Sequence, residues 1–300
     1  MYQRYLGLKE KPFRLTPDPR FLYLSEKHGE ALDHLTYGIT QGEGFMVISG
    51  DVGTGKTTII RSLLERLDGS KMKTALVLNP LLDMEDLLKT ILGDFGLLPK
   101  GNSKKDLIDQ LNSFLMILNR EGGKAVVIID ESQNLTSELL EELRSLSNLE
   151  TDQEKLIQIV LVGQLELWTK LKQPRLRQLR QRISVNYRLN PLSLKEMKGY
   201  VTHRLAVAGL EGDLTFSQGA WRMIYKHSRG VPRLINLICD RTLLGLYIDQ
   251  SRRITTSQVK KALESLRGGK RFFSLWGEKS LQRTAFAGAA GVVLLIGALL

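Results

Sequence analysis

The sequence predicts an α/β fold built on a mostly parallel sheet, followed by an all-helical domain and a C-terminal transmembrane segment. Three observations lead there. Between about residues 28 and 190, short apolar runs such as Val126–Ile129 alternate with helical patterns. Strands with no polar face are covered on both sides, and strands alternating with helices are joined by right-handed crossovers into a parallel sheet. From Pro191 onward only helical patterns recur, and an uncharged run fills 285–300.

Residues 1–27, broken by Pro12, Pro17 and Pro19, read as irregular. A helix is expected over 28–41. Strands are expected at 45–49, 74–79, 124–129, 156–162 and 183–187, with helices at 57–64, 83–95, 104–120 and 137–149 between them. The later helices fall at 193–208, 216–227, 232–249 and 256–266. The chain therefore divides into an N-terminal segment (1–27), an α/β core (28–190), a helical domain (191–267), a basic linker (268–284) and the apolar tail (285–300).

Composition narrows the function classes. A chain of 300 residues, 42% hydrophobic, can bury a proper core. The single cysteine, Cys239, excludes an internal disulfide framework, and with the four histidines it lacks metal-ligand spacing, so a zinc site is not expected. The N-terminus lacks the continuous apolar core of a signal peptide. The net charge of +11 is concentrated: residues 170–188 hold seven Lys/Arg and no acid, and 251–284 hold nine against Glu264 and Glu278, leaving the remainder slightly acidic. A nucleic-acid or membrane argument rests on those two segments.

The chemistry begins at Gly50-Asp51-Val52-Gly53-Thr54-Gly55-Lys56-Thr57-Thr58, which fits G-x-x-x-x-G-K-[ST]. Its glycines let backbone N–H groups turn inward, Lys56 supplies a point charge for β and γ phosphates, and the Thr57 hydroxyl suits Mg²⁺. An apolar strand before it and a helix after it place the phosphate at a helix N-terminus. About seventy residues on, Val126–Ile129 ends in Asp130-Glu131. Asp130 suits Mg²⁺ together with Thr57, and Glu131 suits deprotonation of an attacking water, which points to hydrolysis. Gln164 follows the fourth strand, where strand C-termini converge, and so falls beside the γ-phosphate. The basic run at 179–183 offers arginines for a neighbouring subunit's γ-phosphate, with a solvated helix face or a nucleic-acid stripe as alternatives. Gly230 and Pro232 end one helix and start the next, directing Arg233 toward the nucleotide.

With these elements in this order, residues 28–266 resemble AAA+ ATPases: a P-loop NTPase three-layer core followed by a helical lid. Within that class the chain resembles the ExeA/GspA secretion ATPases, on the stretches YLGLKEKPFRLTPDPRFLYLSEKHGEALDHLTYGI, GEGFMVISGDVGTGKTT, VVIIDESQNL, LVGQLEL, LRQRI, YRLNPLS and GVPRLINLICDRTLL. The N-terminal pattern PF-x-x-TPDP…S-x-x-H is much more specific than the phosphate loop. The resemblance implies ATP and Mg²⁺ at Lys56, Thr57 and Asp130, Glu131 as catalytic carboxylate and Gln164 as sensor 1. It implies Arg182 as arginine finger (Arg180 second) and Arg233 as sensor 2, and it suggests that Phe21–Tyr23 help enclose the adenine. Leu165 departs from the family, which usually has proline there.

The expectation is a homo-oligomeric ATPase energising envelope secretion machinery through a secretion-system partner protein, or pilus or exopolysaccharide export. A DNA-dependent ATPase of the transposition-regulator type is the less favoured reading, so a nucleic-acid partner is not preferred. As a helix, 285–300 reaches about 24 Å against a hydrocarbon core of roughly 30 Å. The basic residues before it orient the ATPase toward the cytoplasm, giving a single-pass inner-membrane protein. With no polar flank after Leu300, a chain cut within or just after the span is expected.

Overall fold

The computed structural model describes residues 2–267 except Pro17, Ser70, Asn79, Leu81, Asp152 and Gln153. In chain order the helices are α1 (Tyr2–Leu6), α2 (Glu26–Gln41), α3 (Lys56–Leu67), α4 (Met84–Asp94), α5 (Lys104–Arg120), α6 (Ser137–Leu146), α7 (Leu165–Leu171), α8 (Arg177–Gln181), α9 (Leu194–Val207), α10 (Gln218–Ser228), α11 (Pro232–Asp249) and α12 (Thr256–Arg267). The strands are β1 (Phe45–Gly50), β2 (Met72–Val77), β3 (Lys124–Ile129), β4 (Ile157–Gly163), β5 (Ile183–Leu189), β6 (Thr215–Phe216) and β7 (Arg253–Ile254). Two compact units result, one of residues 24–190 and one combining the N-terminal segment to Tyr23 with the chain from Pro191.

The α/β unit is a five-stranded parallel sheet in the order β2-β3-β4-β1-β5. β1, β3 and β4 lie inside it and have no polar alternation because both faces are covered. On one face Met46, Ile48, Val126 and Ile128 pack with Leu32 and Leu35 of α2 and Ile59 and Leu63 of α3. On the other, Val47, Val127 and Ile159 pack with residues from α4 to α7, such as Leu88, Leu111, Leu140 and Leu167. The result is a three-layer P-loop fold. β1 lies between β4 and β5, so the loop after β1 is a neighbour of the loop after β4, which in turn adjoins the loop after β3. That order brings the three loops to one edge of the sheet.

The second unit is helical, with only the two-residue strands β6 and β7 paired in parallel. α9 starts at a capping box in which Ser193 and Glu196 satisfy each other's backbone N–H. The N-terminal segment, expected to be irregular, contributes α1 and a 3₁₀ turn at Pro19–Phe21 and is fastened to this unit. The Tyr2 hydroxyl donates to Asp240 Oδ1 at 2.6 Å, and Lys9 N donates to Ala208 O at 2.9 Å. Arg204 Nε reaches Pro12 O at 2.5 Å. Thus residues 1–23 go with the helices, and the α/β unit begins at Leu24. Among the described residues no helix is long and apolar enough to cross a membrane. The expected span at 285–300 lies outside the described residues.

Candidate functional site

Most helices of the α/β unit start on a side-chain cap: Ser25 for α2, Asp83 for α4, Ser103 for α5 and Thr136 for α6. α3 starts on Gly55, which has no side chain to offer and a left-handed φ of 105°. Its first-turn N–H groups are therefore left for an external anion. Gly55 is required twice over, since an added Cβ would also lie 2.6 Å from His28 Nε2. His28 is buried beneath the loop. Its Nε2 donates to the Thr54 carbonyl at 2.9 Å, because a carbonyl only accepts, while Nδ1 meets Ser25 Oγ at 2.6 Å. The S-x-x-H pair thus links the start of α2 to the phosphate loop.

Within the loop, Thr54 is buried and its hydroxyl donates to Asp51 O at 2.8 Å, while Val52 and Asp51 face solvent. Lys56 is 7% exposed, with Nζ donating to Gly50 O at 2.8 Å and Asp51 O at 3.1 Å. Burial lowers its pKa, partly offset by the nearby charges of Glu131, Asp130 and Asp51. Thr57, exposed in the first turn, donates from Oγ1 to Asp130 Oδ2 at 3.4 Å. Thr58 follows it, half-buried.

Asp130 leaves β3 with its backbone N–H still on Val77 O at 2.8 Å. Its Oδ1 accepts the Glu131 N–H at 2.8 Å. Burial raises the Asp130 pKa, and the Glu131 N–H bond works against that rise. Glu131 turns the chain with φ 51° and ψ 33°, a left-handed conformation costing a non-glycine residue about 1–2 kcal/mol. Local bonds hold it there: Ser132 Oγ donates to Ile129 O at 2.7 Å and Asn134 N to Glu131 O at 2.9 Å. Glu131 Oε2 accepts from Gln133 Nε2 at 2.6 Å and from Gln164 Nε2 at 3.4 Å. Gln164 is the N-cap residue of α7, so Leu165 occupies its first position, where proline is also well suited. The departure at Leu165 is thus compatible with the same turn.

Lys56, Thr57, Asp130, Glu131 and Gln164 come together at one end of the sheet. Two oxygens, Thr57 Oγ1 and an ionisable Asp130 carboxylate, suit a hard cation that keeps phosphate and water as its other ligands. Among the described residues no group of three His, Cys, Asp or Glu forms a self-sufficient metal cage. Arg182 and Arg180 make their contacts elsewhere in the α/β unit. Arg182 Nη1 rests on the C-terminal end of α6, donating to Arg144 O at 3.2 Å, Ser147 Oγ at 3.0 Å and Asn148 Oδ1 at 2.5 Å. Arg180 Nη1 donates to Lys172 O at 3.3 Å. Arg233 is exposed in the first turn of α11, after a turn in which Arg229 and Gly230 both take positive φ. Phe21, expected at the adenine, is instead 2% exposed in the core of the helical unit, under the Arg204 guanidinium 4.8 Å away. Its ring has no free face for a base. Tyr23 is half-buried there, edge-on to Tyr200 at 6.0 Å.

Three residues of the site carry no assigned role in the sequence: Gln133, Lys170 and His28, which stands there only as the histidine of S-x-x-H. Lys170, counted there only as part of a basic run, donates from Nζ to Gln133 O at 2.7 Å and Leu135 O at 2.6 Å.

Comparison with known proteins agrees with this geometry. Residues 39–171 match the AAA domain family. Over 269 residues the chain is 45% identical to general secretion pathway protein A of Aeromonas hydrophila, covering 89% of this chain and 49% of that protein. It is 27% identical to the RuvB subunit of the Holliday junction branch migration complex of Prosthecochloris aestuarii, covering 84% of this chain and 64% of that one. The ORC2 protein of Aeropyrum pernix, solved as ADPNP–ADP complexes, shares the fold with a TM-score of 0.64 at 18% identity, covering 86% of this chain and 72% of that chain. The chain thus spans about half the length of the secretion relative. Taken together, residues 39–171 carry an AAA domain on a P-loop fold, and over most of its length the chain is similar to general secretion pathway protein A.

Proposed function

We propose that this chain binds ATP with Mg²⁺ and hydrolyses it in a homo-oligomer. The observation that carries the reading is one connected polar chain. It runs from Thr57 through Asp130 and Glu131 to Gln164, beside the buried Lys56 ammonium. Lys56 exchanges its two backbone carbonyls for the β and γ phosphates, which settle on the uncapped first turn of α3. Thr57 and Asp130 would hold Mg²⁺, which when bound neutralises charge on the phosphate oxygens. Glu131 takes the proton of the attacking water, and Gln164 orients that water against the γ-phosphate. Arg182 leaves the end of α6 to reach a neighbouring subunit's nucleotide, and Arg233 contributes from the helical unit as sensor 2. Phosphate release should require Mg²⁺ and be lost in Asp130→Asn. Hydrolysis by that variant at the wild-type rate would refute the metal assignment.

The work done by hydrolysis is envelope secretion, with residues 285–300 spanning the inner membrane and the ATPase units in the cytoplasm. The similarity to general secretion pathway protein A and the basic residues ahead of the uncharged run support this reading. A secretion-system protein is the expected partner. The full chain should stay with membranes through a high-salt wash and become soluble when cut near residue 267. Release by salt alone would favour a second reading, a DNA-dependent ATPase. That alternative draws on the similarity to RuvB and on the exposed Lys172, Arg175, Arg177 and Arg182.

A further inference from the structure

Glu131 and Gln164 end different strands, and one side chain joins them. Gln133 Nε2 donates to Glu131 Oε2 at 2.6 Å, and Gln133 Oε1 accepts the backbone N–H of Gln164 at 2.9 Å. The orientation of this amide is forced. A carboxylate oxygen only accepts and a backbone N–H only donates, so a flipped amide would lose both bonds. We propose that Gln133 is a positioning residue for hydrolysis. It holds the Glu131 carboxylate at a fixed place relative to the loop that presents Gln164. The inference rests on the hydrolytic reading above and adds to it the part that sets the geometry of the base.

The surroundings are arranged for this one contact. Gly163 is the last residue of β4, and a Cβ there would lie 2.9 Å from Gln133 Oε1 and 3.0 Å from Leu167 Cδ2. Only glycine leaves the amide room to reach the Gln164 backbone. Lys170 clamps the main chain of the same turn through the Gln133 and Leu135 carbonyls. Glu131 Oε2 therefore receives two amides, one from Gln133 and one from the Gln164 side chain at 3.4 Å. A displacement of the Gln164 loop is passed to the carboxylate through a bonded link rather than through solvent. A shift of about 1 Å in a reacting group can lower a rate on the order of 100-fold. The side chain has no conservative substitute: asparagine is one methylene short, leucine keeps the bulk and loses both bonds, and glutamate puts a second carboxylate against Glu131.

The test uses the full chain and three variants, Gln133→Leu, Gln133→Asn and Gln133→Glu. Steady-state ATP hydrolysis, affinity for a fluorescent ATP analogue and thermal melting are measured for each. Wild-type hydrolysis is the control for the parent reading, and its absence would overturn that reading and this inference together. With wild-type hydrolysis present, Gln133→Leu and Gln133→Asn are expected to lose roughly 10–100-fold in kcat with analogue affinity within about twofold of wild type, by the same arithmetic of uniform against transition-state binding. In Gln133→Glu the bond to Glu131 is replaced by a second carboxylate, so kcat should fall at least as far as in Gln133→Leu, again with analogue affinity nearly unchanged. Near-wild-type kcat in all three variants would overturn the proposal while leaving the hydrolytic reading intact. So would analogue binding lost in step with kcat.

Discussion

Lys56 in the α/β unit and Arg204 in the helical unit are both buried cations, each 7% exposed, and both are bonded to backbone carbonyls. Lys56 Nζ sits on the carbonyls of Gly50 and Asp51. Arg204 donates to the carbonyls of Pro12 and Arg14 and to the Tyr200 hydroxyl at 3.1 Å, with its plane over Phe21 and Tyr200. None of these hydrogen-bond acceptors is a carboxylate. The difference lies in the head group. An ammonium is a compact charge with rotatable donors that can trade carbonyls for phosphate oxygens. A guanidinium fork held between aromatic faces is fixed in place. One buried charge is held ready for a ligand, and the other fastens the N-terminal segment to its helices.

The comparison breaks most visibly at Arg204. Arg204→Met leaves the Pro12 and Arg14 carbonyls without their donor, and the helical unit should lose about 3 kcal/mol in urea denaturation. Arg204→Lys keeps the charge without the fork and should fall between. A loss below about 0.5 kcal/mol, the ordinary surface range, would mean that the segment is held by its apolar contacts alone.

Lys56→Met should act with the opposite sign on the nucleotide-free protein. Its pKa is lowered in the fold, so as pH falls through the ordinary lysine range the unfolded chain takes up its proton first and stability is lost. Removing the charge should therefore raise the melting temperature, provided the lost bonds to the Gly50 and Asp51 carbonyls cost less than the burial of the charge. A lower melting temperature would make Lys56 a structural staple like Arg204.

Asp130→Asn sharpens the same point through pH. Burial raises the Asp130 pKa, so the unfolded chain releases this proton at lower pH than the folded one. Below the ordinary carboxylate range, wild type and Asp130→Asn should melt alike. As pH rises through that range toward the raised value, the variant should gain on wild type, and the gap should then stay constant. Differential scanning calorimetry without nucleotide across acid to neutral pH checks the trend, and a gap widening toward acid pH would contradict it.

Arg182 is a third cation on a carbonyl, this time in solvent, and its contacts should be worth less than about 1 kcal/mol. Arg182→Ala should barely change the melting temperature yet remove most ATPase activity. Mixing it with Lys56→Ala subunits should restore part of that activity, because one type of interface keeps both groups. No recovery at any ratio, with assembly confirmed, would count against a role for Arg182 across a subunit boundary.

Legibility in the sequence followed locality. β1, β3 and β4 were readable because buried parallel strands carry no polar face. β2 was read at 74–79 but runs from Met72 to Val77, since this edge strand opens on the half-exposed Met72-Lys73-Thr74 and hides its start. α1 and α7 are five and seven residues long, too short to establish a period. At the site, Lys56, Thr57, Asp130, Glu131 and Gln164 stood out because fixed spacing after a strand carries their chemistry. His28, Gln133 and Lys170 act across 26, 31 and 37 residues, on partners that only the fold supplies. Phe21 was misplaced for the same reason: its neighbour Arg204 arrives from α9.

The central claim is that Lys56 binds the phosphates while Glu131 acts only on water. Calorimetric titration with ATP and single-turnover hydrolysis, run on the same samples of wild type, Lys56→Ala and Glu131→Gln, test it most directly. Glu131→Gln should bind ATP as wild type does and lose hydrolysis by on the order of 100-fold or more, whereas Lys56→Ala should show no binding. Wild-type affinity in Lys56→Ala, or wild-type turnover in Glu131→Gln, would contradict the account.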